Sequence, residues 1–218
     1  MERNSMMTEY EKAEAGYFYQ AHADAEIDER RKKSQELNYK YNILRPCQQK
    51  ERVLFLNKNM GKVGSECVIE QPFYCDFWER VFLGNHFFSN YNFVILAGNR
   101  IKIGDYVWIG PDCGLYAAGH PFNWELRAKG IEYAWPITIG NHVWIGGGTK
   151  ILGGVTIGDY AVIAAGSVVN KDIPAHVLAG GNPCRVIRKI SLKDDEKYRK
   201  GYIDWRSCSE NLFEKKIF

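Results

Sequence analysis

The chain has 218 residues, 45% of them hydrophobic, and a formal net charge of +3 from 29 basic and 26 acidic side chains. So even a balance carries no electrostatic footprint for nucleic acid, although a small anionic ligand would suit it. No apolar run approaches the roughly 20 residues that span a membrane, and residues 1–18 lack the basic-then-apolar layout of a secretory signal, so no membrane partner and a cytoplasmic location are expected.

The first elements are helical. Thr8 and Glu11 form a capping-box pattern that opens one helix, and "DAEIDERRKKSQELNYKYN" reads as a second. Ile27, Leu37 and Tyr41 fall near one face of it, and the run Arg30-Arg31-Lys32-Lys33 is expected on an exposed face. Residues 1–58 therefore read as an N-terminal helical arm.

From 59 to 190 the dominant signal is a six-residue beat. Val63 and Ile69, then Leu83, Ser89 and Ile95, give its fainter opening. Ile103, Ile109 and Leu115 continue it two residues out of phase, and Ile139, Ile145, Ile151, Ile157, Ile163 and Val169 run without a miss. Six residues suit a short strand plus a tight corner. Three such strands make a triangular coil, and stacked coils bury the aliphatic column inside a prism, because no single coil can bury its own apolar face. The glycine after the aliphatic residue, as in "IGDYVW" and "IGNHVW", is expected to supply the unusual backbone angles of a corner. The fold class is mainly β, a parallel β-helix; the spacing is silent on its hand.

The beat breaks between about 117 and 136. Counting through the break would bury Pro121, Arg127 and Tyr133. An unpaired buried Arg is costly and Pro cannot donate to a strand ladder, so this segment is expected to leave the coil as an extruded loop. An irregular coil of the same length is the alternative. His120 stands at the last outward position before the chain departs. With an ordinary pKa near 6.5, an imidazole there can accept a proton at neutral pH. His86, His142 and His176 read as plain surface residues. The six cysteines, at 47, 67, 75, 113, 184 and 208, form no CxxC pair, so neither a zinc nor a redox site is suggested. Residues 191–218 form a C-terminal extension with a possible cap at Ser191, expected to be partly helical, and too apolar at Trp205, Leu212, Phe213 and Phe218 for a disordered tail.

"VIEQPFYCDFW", "LGNHFFSNYN", "GHPFNWELRAKG", "ITIGNHVWIGG" and "GGNPCRVIRK" resemble the galactoside and maltose O-acetyltransferases over residues 8 to 190. These are hexapeptide-repeat acyltransferases whose coil is a left-handed parallel β-helix. The resemblance implies acetyl-CoA as co-substrate, no catalytic metal, and direct transfer to a hydroxyl of a sugar or similar small acceptor with His120 as general base. It also implies a homotrimer with active sites between subunits, the loop of one prism meeting the CoA groove of the next. Asn90 matches an asparagine that contacts the acceptor and helps stabilise the transition state. Glu132 matches a glutamate of the maltose-type enzymes and could orient the imidazole; a solvated loop carboxylate is the other reading. Asp76 matches an acceptor-side position, and Arg31 an arginine of the arm.

On the CoA side the resemblance points to Trp144, Gly147 and Ala165 along the pantetheine arm, and to Asn170, Lys171, Arg185 and Arg188 near the phosphates. The chain departs from the family pattern at Trp78, a bulky indole where glycine is usual, and at Gly98, where the galactoside-type aspartate is missing. An acidic acceptor contact near Ala21 or His22 is missing too. These changes suggest a different, more apolar acceptor pocket. An amino-bearing or xenobiotic acceptor is thus the alternative within the fold. A zinc-dependent carbonic anhydrase shares the coil but needs a close histidine pair in the loop, where Glu125 stands instead. A non-enzymatic solenoid is the remaining class.

Overall fold

The computed structural model describes residues 7–191 and Asp194. Three helices make the arm: α1 (Glu9–Glu14), α2 (Ala25–Asn42) and α3 (Gln49–Asn59). The capping box closes as read, with Glu11 N–H donating to Thr8 Oγ1 at 3.1 Å and Thr8 N–H donating to Glu11 Oε2 at 2.8 Å. Asp24 caps α2, whose Ile27 and Tyr41 are buried as expected. The helix α3 was not singled out in the sequence; it buries Leu56 and Arg52.

Three sheets form the prism, and the strands of successive coils pair in parallel within each. The first face carries Lys62–Val63, Val81–Leu83, Ile101–Ile103, Ile137–Ile139 and Thr156–Ile157. The second carries Val68–Ile69, Phe88–Ser89, Trp108–Ile109, Trp144–Ile145, Val162–Ile163, Val177–Gly180 and Arg185–Lys189. The third carries Phe73–Asp76, Phe93–Leu96, Gly114–Tyr116, Lys150–Leu152 and Val168–Val169. Each coil visits the faces in that order, and the aliphatic column lies inside: Ile103, Ile109, Leu115, Ile139, Ile145, Ile151, Ile157, Ile163 and Val169 are all buried.

The phase slip has a structural cause. Val63, Leu83 and Ile103 pair in register on the first face, so the first two coils are each two residues longer than the regular coil from Ile139 to Ile157. The extra length sits at the corner after the third face. In the first coil it holds the 3-10 turn Trp78–Arg80, entered through Phe77 at φ 46°. The third coil leaves at that same corner for the long excursion and returns in register, Ile103 pairing with Ile139.

The corner glycines act differently from the expectation. Left-handed backbone falls two residues after them, on Glu66, His86, Tyr106, His142 and Tyr160, and likewise on His176, which follows Pro174. Glycine is needed instead for close approach: a Cβ on Gly104 would sit 2.6 Å from Asn141 Oδ1 and 2.7 Å from the Gly140 carbonyl oxygen of the next coil. The left-handed residues put their side chains one above another. His86, Tyr106, His142, Tyr160 and His176 stack ring on ring at centroid separations of 4.4 to 4.9 Å. The three histidines are thus members of a ladder that runs along the surface, His142 and His176 exposed as read and His86 half-buried.

The arm closes the open end of the prism. On α2, Asn42 pairs with both the N–H and the carbonyl of Phe73, and Asn38 accepts from Cys75 N–H at 3.0 Å, which satisfies an edge strand that would otherwise be bare. The basic run splits: Lys32 and Lys33 are exposed, whereas Arg30 and Arg31 are half-buried. Arg30 covers one side of the Tyr10 ring at 3.9 Å and pairs with Glu79 at 2.9 Å, while buried Arg80 lies 3.6 Å from the same ring centroid. Cys47, Cys67, Cys75, Cys113 and Cys184 are free thiols. The C-terminal extension lies almost wholly outside the described residues, together with Cys208 and the apolar side chains named above.

Ser89 occupies an inward position, fully buried, and its hydroxyl has no hydrogen-bond partner. A buried unpaired hydroxyl costs about 1–3 kcal/mol. Ser89→Ala is therefore expected to raise the denaturant midpoint of unfolding, and a lowered midpoint would contradict this account of the core.

Candidate active site

The excursion is a built structure. Ala118–Gly119 pairs antiparallel with Ile131–Ala134, and the short helix α4 (Trp124–Ala128) forms the tip between them, capped by Asn123. A third strand comes from the arm: Tyr19–Gln20 pairs with Ile131 and Glu132. Arg127 and Tyr133 stay out of the prism, as the cost of burying a guanidinium requires; Pro121 is buried at the loop's root.

His120 follows the strand Ala118–Gly119 and is exposed. It lines a cleft of about 620 Å³ at the corner after the third face, together with Arg31, Asp76, Glu132, Tyr133 and Asn170. Glu132 is only 7% exposed, so it is no solvated loop carboxylate. Tyr19 Oη donates to its Oε2 at 2.7 Å, and Arg31 Nη2 and His22 Nε2 lie 3.6 and 3.5 Å from its Oε1. Three groups of the arm thus converge on one carboxylate of the loop. Burial and the adjoining Glu132 charge push the Tyr19 phenol up, so it stays a proton donor.

Asp76 accepts a hydrogen bond from Ala97 N–H at the cleft floor. Burial raises its carboxyl from 3.8 to about 6, against the lowering pull of that N–H and of Arg31. The departures at 78 and 98 resolve in different ways. Trp78 is fully buried, donates from Nε1 to Asn38 at 3.1 Å and packs edge-on against Phe73 and Tyr41. It anchors the arm and takes no part in the cleft. Gly98 has no space for a side chain: a Cβ would lie 2.9 Å from Ala118 Cβ and 3.0 Å from Ala134 Cβ.

A second groove, of about 530 Å³, runs along the corner between the second and third faces. Asn90, Trp108, Trp144, Gly147 and Ala165 line it. Trp108 and Trp144 pair in register and are more than half exposed. Tight coil corners demand small residues here, since a Cβ on Gly110 would come within 2.5 Å of Gly147 N and one on Gly146 within 2.5 Å of Ala165 N. Arg185 and Arg188 lie on Arg185–Lys189, the strand next to Val177–Gly180 at the end of the second face.

Within one chain, therefore, His120, Glu132, Asp76, Arg31 and Asn170 share one edge of the prism, with Lys171 exposed one residue beyond Asn170, whereas Asn90, Trp144, Gly147 and Ala165 share another. The residues the sequence pointed to for CoA are split between the two edges. The aromatic walls of the cleft, Tyr116, Tyr133 and Trp135, were not singled out as site residues. Among the described residues no three His, Cys, Asp or Glu side chains gather as a metal site, and no helix is long and apolar enough to cross a membrane.

Comparison with known proteins gives concordant matches. Residues 136–171 match the bacterial transferase hexapeptide family (six repeats), and residues 12–64 match the maltose acetyltransferase hexapeptide capping motif. The chain is 42% identical over 176 residues to galactoside O-acetyltransferase of Escherichia coli (strain K12), covering 81% of this chain and 87% of that protein. Among solved structures, a maltose O-acetyltransferase from Clostridium difficile 630 superposes with a TM-score of 0.83 at 43% identity, covering 85% of this chain and 98% of the other. Galactoside acetyltransferase in complex with coenzyme A gives 0.82 at 38% identity, with 91% and 96% covered. A Vibrio cholerae hexapeptide-repeat acetyltransferase complexed with acetyl coenzyme A gives 0.77 at 38% identity, with 85% and 100% covered.

The raised carboxyl of Asp76 makes a pH-dependent prediction. A carboxyl held at about 6 in the fold and near 3.8 when unfolded binds its proton more tightly in the native state. Stability from this group is then greatest at low pH and falls as pH rises from about 3.8 to 6. Asp76→Asn should gain melting temperature relative to the parent across that window, with the gap widest above pH 6. A difference that does not vary between pH 4 and 7 would contradict the assignment.

Proposed function

The chain belongs to the galactoside and maltose O-acetyltransferase family, and from that membership we propose that it moves an acetyl group from acetyl-CoA to a hydroxyl of a sugar or similar small acceptor. It is an acetyl-CoA-dependent O-acetyltransferase built on a left-handed parallel β-helix, which leaves no place for the non-enzymatic reading. The observation that carries the proposal is the position of His120: exposed, at the root of the extruded loop, on the rim of a cleft that holds Asp76, Glu132 and Arg31.

A hydroxyl is a poor nucleophile until its proton leaves. His120 takes that proton as the acceptor oxygen attacks the thioester carbonyl carbon. The resulting oxyanion collapses with cleavage of the C–S bond, and the imidazolium returns the proton to the departing thiolate. The products are the acetyl ester and free CoA thiol. The thiol leaves readily, so no covalent enzyme intermediate is needed. Glu132, held by Tyr19 and Arg31, shares the cleft with His120 and sets a negative charge there that favours the imidazolium cation. Asp76 accepts from an acceptor hydroxyl, and Arg31 donates to another.

Asn90 belongs to this chemistry as a donor, since Tyr91 N–H already occupies its amide oxygen at 2.8 Å and leaves the NH₂ end for the acceptor side. It lies on a different edge of the prism from His120, so a second copy must bring its groove to the cleft. A homotrimer with sites between subunits supplies that arrangement. The loop tip offers apolar surface for the contact, with Phe122 fully exposed and Trp124 68% exposed. Acetyl-CoA lying between copies meets Trp144, Gly147 and Ala165 of one, while Asn170, Lys171, Arg185 and Arg188 serve its phosphates.

His120→Ala is expected to lower turnover by about 10²–10⁴, the usual contribution of a general base, while calorimetry shows acetyl-CoA affinity unchanged. Turnover near that of the parent would reject His120 as the base.

A further inference from the structure

Two glycines, Gly114 and Gly119, lie beneath tyrosine rings that line the cleft. Gly114 and Tyr116 belong to one strand and project to the same side. A Cβ built on Gly114 would come within 2.6 Å of Tyr116 Cε1 and nearer still to Cζ and Oη, so the Tyr116 ring lies folded back across the Gly114 Cα. On the opposite wall a Cβ on Gly119 would come within 2.7 Å of Tyr133 Cζ and Oη. Gly114 has no left-handed backbone to require glycine. What requires it is the ring.

The ring has few ways to move. In the register of the third face, Tyr116 stands between Leu96 and Leu152, and Gly114 between Val94 and Lys150. The missing side chain at 114 therefore leaves a trough, walled on both sides, in which the tip of Tyr116 rests. The atoms nearest a methyl group at 114 all belong to the far end of a flexible side chain, Tyr116. The methyl displaces the ring rather than the backbone, and sideways movement is blocked by the flanking rows. The remaining direction is outward, into the cleft that Tyr116 shares with His120.

We propose that Gly114 and Tyr116 together determine how large an acetyl acceptor the cleft admits, Gly114 by letting the Tyr116 ring lie flat on its floor. This rests on the cleft being the acceptor site, as argued above. Gly114 acts through Tyr116 and touches neither acceptor nor donor.

The test uses the full-length enzyme with saturating acetyl-CoA and two acceptors, glucose and maltose. Gly114→Ala should lower kcat/KM for maltose by about tenfold relative to glucose, the scale on which a pocket discriminates one or two small groups. Tyr116→Ser should shift the ratio toward maltose, and Gly114→Ala combined with Tyr116→Ser should match Tyr116→Ser alone, because no ring remains to be lifted. An unchanged ratio in Gly114→Ala, or a double variant that keeps the loss, overturns the inference. A crystal structure of Gly114→Ala reads it without turnover: a ring raised into the cleft supports it, and a ring still flat over a displaced backbone overturns it. Should the parent enzyme acetylate neither sugar, the sugar reading of the acceptor fails, and the position of the ring decides this inference by itself.

Discussion

Register is the constraint on which this molecule depends. Each coil can bury its aliphatic residues only against the coils above and below, so Ile109 must meet Ile145 and Ile145 must meet Ile163. Burial of such side chains is worth about 1.5–3 kcal/mol each, and a slip of one residue would turn the whole column to solvent. The chain may leave the prism only where a corner allows it, and must return in phase. The 36-residue step from Ile103 to Ile139, twice the 18-residue step from Ile139 to Ile157, is that rule in operation.

The site grows out of the one corner where the rule is relaxed. After the third face, the first two coils spend their extra residues and the third releases its loop. Asp76, Ala97 and His120 are brought together because they occupy this corner in successive coils. Arm and loop then fix each other. Tyr19 pairs in register with Glu132 and donates to its carboxylate, and buried Asn99 donates to carbonyls of Ala13, Glu14 and Ala134, joining arm, coil and loop at a single side chain. The capping arm thus helps to wall the His120 cleft as well as covering an exposed sheet end.

Much of this was legible in the sequence because it is periodic or interrupts a period. The prism, the loop, the place of His120 and the capped helices α1 and α2 all follow from local spacing. What was not legible involves contacts that no period announces. The carboxylate of Glu132 is met by Tyr19, 113 residues away, so a loop glutamate and a buried, clamped one look alike in the chain. Trp78 seemed to intrude on the acceptor pocket until the left-handed backbone of Phe77 turned it inward. The histidines at 86, 142 and 176 are unevenly spaced in sequence, and their stacking with Tyr106 and Tyr160 appears only once the two-residue excess and the loop are subtracted. The glycines directly after the aliphatic residues, such as Gly104 and Gly110, were read as conformational when the nearness of the next coil is what selects them.

The account stands on a catalytic site divided between copies, His120 on one edge of a prism and Asn90 on another. Co-expression of His120→Ala and Asn90→Ala chains carrying different tags, followed by purification of the mixed assemblies, tests this most directly. If the residues act across a subunit contact, each mixed closed trimer holds one intact site in three, whichever chain is in the majority, and restores roughly a third of the parent's acetyl transfer. Activity that stays at the level of either variant alone would show that each chain works with its own pair, and the account would fail.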